Sequence, residues 1–135
     1  MRKRAIIPHE VAAASRKLQL SPAMWSRGHL FMTGVTGSLP DGSLSDDPNT
    51  QFRSVFKKIG ATLEAAGADF SSIVEMTSYH VDIDQYFDRF ADVRAAYVRA
   101  PFPAWTAVGV AGLRRPGALV EVRVIAEAPE PETLT

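Results

Sequence analysis

The segment from Leu119 to Ala126 limits this chain more than any other. Val120, Val122 and Val124 alternate with Leu119, Glu121, Arg123 and Ile125, the two-residue period of a strand with one wholly apolar face. The other face is neither a clean solvent face nor a clean core, because Leu119 and Ile125 flank an acid and a base. Helices can cover only one side of such a strand. The mixed side is therefore expected to be buried against another subunit, and an oligomer is the expectation.

The rest of the chain supplies helices and further strands. His29 to Val35 is a short apolar run between Gly28 and Gly37, the length of a buried strand. Phe52, Val55, Phe56, Ile59, Leu63 and Ala66 then fall on one stripe of a helix. Asp46 or Asp47 can cap that helix, Pro48 suits its first turn and Gly67 its end. Ile73 to Asp82 reads as a strand, and Tyr86, Phe87, Phe90, Val93 and Tyr97 return to helical spacing before Pro101. Two strands follow, Trp105 to Val110 and Ala118 to Ala126, and the turn Arg114-Arg115-Pro116-Gly117 between them predicts a hairpin. The polar stretch from Gly37 to Asn49 is a loop rather than a boundary. Residues 1–127 are thus expected to form one domain, and 128–135 a flexible acidic tail broken by Pro129 and Pro131. Arg2, Lys3 and Arg4 form a small basic head, read like the tail as a solvated terminus.

A chain of 135 residues can bury roughly two thirds of its unfolded surface, so it needs no disulfide or structural metal. It has no cysteine, which excludes thiolate zinc sites, iron–sulfur clusters and cysteine nucleophiles. Fifteen basic residues balance fifteen acidic ones, so there is no long-range field to draw in a phosphate backbone or an acidic membrane. No apolar run is long enough for a signal peptide or a membrane span, and a cytoplasmic location is expected. His9, His29 and His80 lack metal-ligand spacing, and Asp82-Ile83-Asp84 stands where capping is the simplest role. Gly34 and Gly37 complete no nucleotide signature, so neither a metal nor a cofactor is expected. Glu121 admits two readings. It is either exposed or paired with Arg123 as a structural group, or a carboxylate whose setting suits acid–base work.

The residues also resemble the RidA/YjgF reactive-intermediate deaminase family, from about Trp25 to Ala126. The resemblance is carried by Pro103-Ala104-Trp105-Thr106-Ala107-Val108-Gly109-Val110 and Leu119-Val120-Glu121-Val122-Arg123-Val124-Ile125-Ala126. Thr33-Gly34, the helix end Leu63-Glu64-Ala65-Ala66-Gly67-Ala68 and the strand end Tyr79-His80-Val81-Asp82 support it. It implies an α+β chorismate-mutase-like fold, a mixed sheet backed by two helices, with three subunits closing a barrel. A small-molecule ligand would lie in clefts between the subunits of this homotrimer. Family members hydrolyse enamines and imines, made from amino acids by pyridoxal-phosphate enzymes, to 2-keto acids and ammonia without a cofactor. Relatives have also been described as endoribonucleases, but zero net charge and the lack of a basic and aromatic stripe argue against nucleic acid here.

Carried over residue by residue, Glu121 falls on the glutamate that positions or activates water, and Thr33 on a site hydroxyl that is usually serine. The arginine that clamps the substrate carboxylate falls on Trp105, a frequent cysteine on Ala107 and an asparagine on Phe90. An indole has one N–H and no charge where a guanidinium has a planar fork. Loss of such a clamp costs about 2 to 5 kcal/mol. The expectation is a cleft lined by Thr33, Phe90, Trp105, Ala107 and Glu121 that binds a small organic metabolite, with enamine or imine hydrolysis as its chemistry and ordinary 2-imino acids as poor substrates. The alternative is a non-catalytic binding or regulatory trimer. Trp105 is read either as an interface anchor filling the old cleft or as an aromatic wall for the ligand. Arg27, Arg114, Arg115 and Arg123 are the candidate replacement cations.

Overall fold

The computed structural model of the chain describes residues 2–132. In order, it contains β1 (Arg4–Ile6), α1 (Ala12–Leu18), β2 (Ala23–Ser26), β3 (His29–Met32), β4 (Val35–Thr36), α2 (Pro48–Ala65), β5 (Ile73–His80), α3 (Ile83–Ala95), β6 (Ala104–Gly109) and β7 (Val120–Glu127). The strands form one mixed sheet in the order β1-β2-β3-β7-β5-β6, with β4 also paired to β7. The class is α+β, as the sequence leads one to expect. The short helix α1 was not foreseen, because it buries only Ser15 and has no apolar stripe to betray it.

The alternation of β7 does what its chemistry requires. Val120, Val122 and Val124 are fully buried against the stripe Phe52, Val55, Phe56, Ile59 and Leu63 of α2. Each such side chain contributes about 1.5–3 kcal/mol relative to exposure. Asp47 caps α2, its Oδ2 accepting from the Thr50 amide at 3.0 Å, and Pro48 takes the first turn. Gly67 follows the helix with φ 75°, a left-handed conformation that suits glycine. Asp82 does stand at the N-cap of α3, but its side chain makes no capping hydrogen bond there, so the capping role read from Asp82-Ile83-Asp84 does not hold.

Two further expectations are corrected by the sheet. β6 and β7 do not form a hairpin, since β5 lies between them, parallel to β6 and antiparallel to β7. The pairing of β5 and β6 is a strand–helix–strand crossover through α3, which turn chemistry at 114–117 cannot reveal. The run from His29 to Val35 is also not one strand. β3 and β4 lie end to end along the same side of β7, and between the pairs Phe31↔Ile125 and Val35↔Val122 they carry one residue more than β7 does. That bulge falls at Met32-Thr33-Gly34.

The chain is tied down beyond residue 127, where the tail was expected to begin. Trp25 Nε1 donates to the Ala128 carbonyl at 3.0 Å, the Ala128 amide donates to Gly28 at 3.1 Å, and Arg4 Nη1 reaches the Pro131 carbonyl at 3.4 Å. Arg4 of the basic head thus belongs to the sheet and meets the other end of the chain. The rest of that tail, 133–135, lies outside the described residues.

Phe90, expected in a cleft, is fully buried in the core, edge-on to Phe52 at 5.4 Å and to His80 at 4.9 Å. Its position on the apolar stripe of α3 decides this, because that stripe faces α2 and the sheet. Phe90→Ala is therefore expected to cost about 3–5 kcal/mol of stability, as a core deletion does. Urea unfolding measures this, and a loss below about 1 kcal/mol would return Phe90 to the surface of a cleft.

Candidate functional site

The residues expected to share a site fall into two groups on opposite faces of the sheet. Strand register separates them. Glu121 lies beside Thr36 of β4 and Tyr79 of β5, on the face not covered by α2 and α3. Trp105 lies beside Met76, which in turn lies beside the buried Val124, and so points to the helix-covered face.

The first group centres on the bulge. The half-buried Glu121 side chain lies over Gly34, where a Cβ would come within 2.6 Å of its Oε2. A side chain at position 34 would push the carboxylate aside. Among the described residues Glu121 has no hydrogen-bond or ion-pair partner, and the exposed Arg123 does not pair with it. The carboxylate therefore has its acceptor capacity free. Thr33 beside it is exposed, and its hydroxyl donates to the Ser21 carbonyl at 2.7 Å, which leaves the oxygen able to accept only.

The second group lies under α3 at the β6 edge of the sheet. Phe87 stacks on the Trp105 ring at 5.5 Å and 13°, and the Arg94 guanidinium carbon sits 3.9 Å from the ring centre. Phe87 and Arg94 are two turns apart on α3, about 10.5 Å along the axis, which leaves room for one flat ring between them. The indole N–H is also spoken for, donating to Ser78 Oγ at 2.9 Å. Within the chain Trp105 is thus an anchor rather than an open aromatic wall. Ala107 is half-buried on the same face, beside Ser78. Phe90 belongs to the core beneath and lines neither group.

Ser78 joins this group to His80, whose Nε2 lies 2.8 Å from Ser78 Oγ. The Ser78 hydroxyl thus accepts from the indole and shares a second hydrogen bond with Nε2. His80 is 1% exposed and also lines a shallow cavity of about 390 Å³ with Asp82, Ile83, Asp84, Gln85, Gly109 and Val110. Burial lowers its pKa.

Of the cations proposed to replace the absent arginine, none is placed near Trp105. Arg27, Arg114, Arg115 and Arg123 are exposed, Arg27 in the β2–β3 turn and Arg115 donating to the Gly42 carbonyl. The cation at Trp105 is Arg94, which the sequence reading missed. Its spacing from Phe87 and Phe90 put it on the apolar stripe of α3, and a charged residue on such a stripe was the available signal. The expectation that 2-imino acids are poor substrates rested on an absent charge beside residue 105, and the structure supplies one from another element.

The chain matches the model of the protein family described as Endoribonuclease L-PSP over residues 11–128. It is 40% identical over 111 residues to the RutC family protein YjgH of Escherichia coli (strain K12), covering 82% of this chain and 83% of that one. It is 33% identical to the putative regulator AldR of Lactococcus lactis subsp. lactis (strain IL1403), covering 77% and 78%. A 2-iminobutanoate/2-iminopropanoate deaminase of Bos taurus is 30% identical over 88% of this chain and 82% of its own length. The solved structure of the protein YJGH superposes with a TM-score of 0.85 at 35% identity, covering 97% of this chain and all of that one.

The His80 setting generates a prediction. Folding disfavours protonation of the buried ring, so its contribution is complete above the unfolded value of 6.5 and is lost as pH falls through the lower folded value. Thermal unfolding between pH 7.5 and 5 is expected to show Tm falling on the acid side, and less steeply for His80→Gln. Equal slopes would assign the acid sensitivity to other groups.

Proposed function

Because the chain belongs to the RidA/YjgF family, we propose that it binds a small organic metabolite in clefts between the subunits of a homotrimer and hydrolyses an enamine or imine there. The observation that carries this reading is the unpaired Glu121 carboxylate over Gly34, on a sheet face that also leaves Phe31 42% and Val108 38% exposed. An uncovered face of that character favours burial against a second copy. Since Glu121 and Trp105 lie on opposite faces of one sheet, a cleft that uses both takes its two walls from two chains.

The chemistry requires a base, a positioned water and a route for the proton. Glu121 accepts a proton from water as the oxygen adds to the C=N carbon, giving a carbinolamine. The same carboxyl returns that proton to nitrogen, then takes the carbinolamine O–H proton and delivers it to nitrogen as the C=O bond forms and the C–N bond breaks, so that a carbonyl compound and ammonia leave. Atoms and charge balance with water alone. General base assistance of this kind is worth about 10²–10⁴-fold. A second reading, a non-catalytic regulatory trimer, is supported by the likeness to AldR and by the anchoring of Trp105.

Two measurements test the proposal. Light scattering is expected to give a mass near three times 14.7 kDa, and a monodisperse monomer would remove the cleft. Imines generated in situ by a pyridoxal-phosphate dehydratase should decay faster with the protein. Glu121→Gln should lose about 10²–10⁴-fold in that rate with its unfolding temperature nearly unchanged. No acceleration by the unmodified protein would reject hydrolysis in favour of the regulatory reading.

A further inference from the structure

We infer that Arg94 is the receptor of a carboxylate subsite at the β6 edge, with Trp105 as the platform that holds its guanidinium. The inference rests on the small-molecule cleft proposed above for what surrounds the subsite, but its own evidence is separate.

Arg94 is 9% exposed, and its Nε is the one buried side-chain nitrogen or oxygen among the described residues that has no hydrogen-bond partner. It takes part in no ion pair among those residues, where the only salt bridges join Asp47 to Arg53 and Arg89. A buried donor without an acceptor is destabilising, and more so when it carries charge. The ring of Trp105 offsets part of that by attracting the cation to its face. No N–H of Arg94 donates to an acceptor among the described residues, and the N–H groups of a guanidinium lie in its own plane. An acceptor must therefore approach edge-on, in the plane of the fork.

The chemistry of that acceptor is constrained. A hydroxyl or carbonyl would satisfy a donor and leave the charge. A carboxylate supplies two coplanar oxygens and one negative charge, matching a single guanidinium with no second cation beside it. Burial works against the charge of Arg94 and lowers its pKa, an effect that an anion in contact would counter. Phe87 and Trp105 make the surroundings apolar, which suits a carboxylate on a small organic body. The position is also fixed from below. Ser78 takes the indole N–H, and Phe87 closes the other ring face, so the platform does not turn when the ligand leaves. Residue 105 therefore orients the cation and does not replace it.

The test is a titration of the full-length protein with 2-oxopropanoate and with its neutral amide, followed by the NMR signals of the indole Nε1–H groups. The chain has two tryptophans, and Trp25→Phe assigns the signals. Saturable shifts of the Trp105 signal with the acid, at least ten times weaker with the amide, are expected. Arg94→Gln should weaken binding of the acid by roughly 30-fold or more, and Arg94→Lys, which keeps charge without the fork, by less. Equal binding of acid and amide, or no effect of Arg94→Gln in a folded variant, would overturn the inference. So would acid that fails to bind while Arg94→Gln and Arg94→Lys both dissociate the oligomer, since the partner of the guanidinium would then be an acid of a second copy. Acid binding that needs Arg94 without imine hydrolysis would sink the hydrolase reading and leave the subsite standing. Hydrolysis that survives Arg94→Gln with unchanged KM would do the reverse.

Discussion

One strand, β7, sets the arrangement of everything else. It pairs on one side with β3 and β4 and on the other with β5, so three strands depend on its register. Its valines can reach α2 only if every second residue faces the core, and a slip of one position would drive Glu121 and Arg123 into that core. The cost of burying two unpaired charges forbids the slip. Glu121 is thus held on the uncovered face by the same alternation that seals the covered one.

The backbone around Glu121 is held from α2. Gln51 donates to the Ser45 and Gly117 carbonyls and accepts from the Leu119 amide, joining the loops before α2 and before β7. The Lys58 ammonium donates to the Thr36 carbonyl at 2.8 Å and to Ser38 Oγ at 2.6 Å, fixing the chain where it leaves β4. Burial, with a smaller contribution from Arg115, lowers the Lys58 pKa to about 8. Gly37 completes the seam, because a Cβ there would run into the Gln51 backbone. Packing and polar bonds on the covered side therefore position the bulge on which Glu121 rests.

The β6 edge is organised differently. There one helix, α3, presents Phe87 and Arg94 at a spacing that admits an indole, and the strand supplies that indole from Trp105. Ser78 ties the result to His80 in the core. Polar groups that would be costly to bury singly become tolerable as a chain, each satisfied by the next. Arg94 ends the chain with its Nε unmatched. The chain thus carries two distinct chemical features, an acidic one beside the bulge and a basic one under α3, separated by the thickness of the sheet.

The period of apolar residues alone determined α2, α3 and β7, because burial selects one face and the spacing of that face is written in the chain, whereas β5 buries Ser78 and His80 beside Met76 and leaves Val74 exposed. It also determined that Glu121 and the valines beside it face opposite ways. The turn chemistry of Asp47, Pro48 and Gly67 marked the ends of α2 for a similar local reason. Which strands are neighbours was decided only by the tertiary structure, since pairing joins residues far apart and a turn such as Arg114 to Gly117 serves a crossover as well as a hairpin. So was the bulge at Thr33-Gly34, visible only once β3 and β4 are laid against β7. Phe90 and Trp105 show the same limit: alignment with a family placed both in a cleft, but the packing of α3 put one in the core and pinned the other between a phenyl ring and a guanidinium. A residue's place on its own element is a property of the sequence, and what stands across from it is a property of the fold.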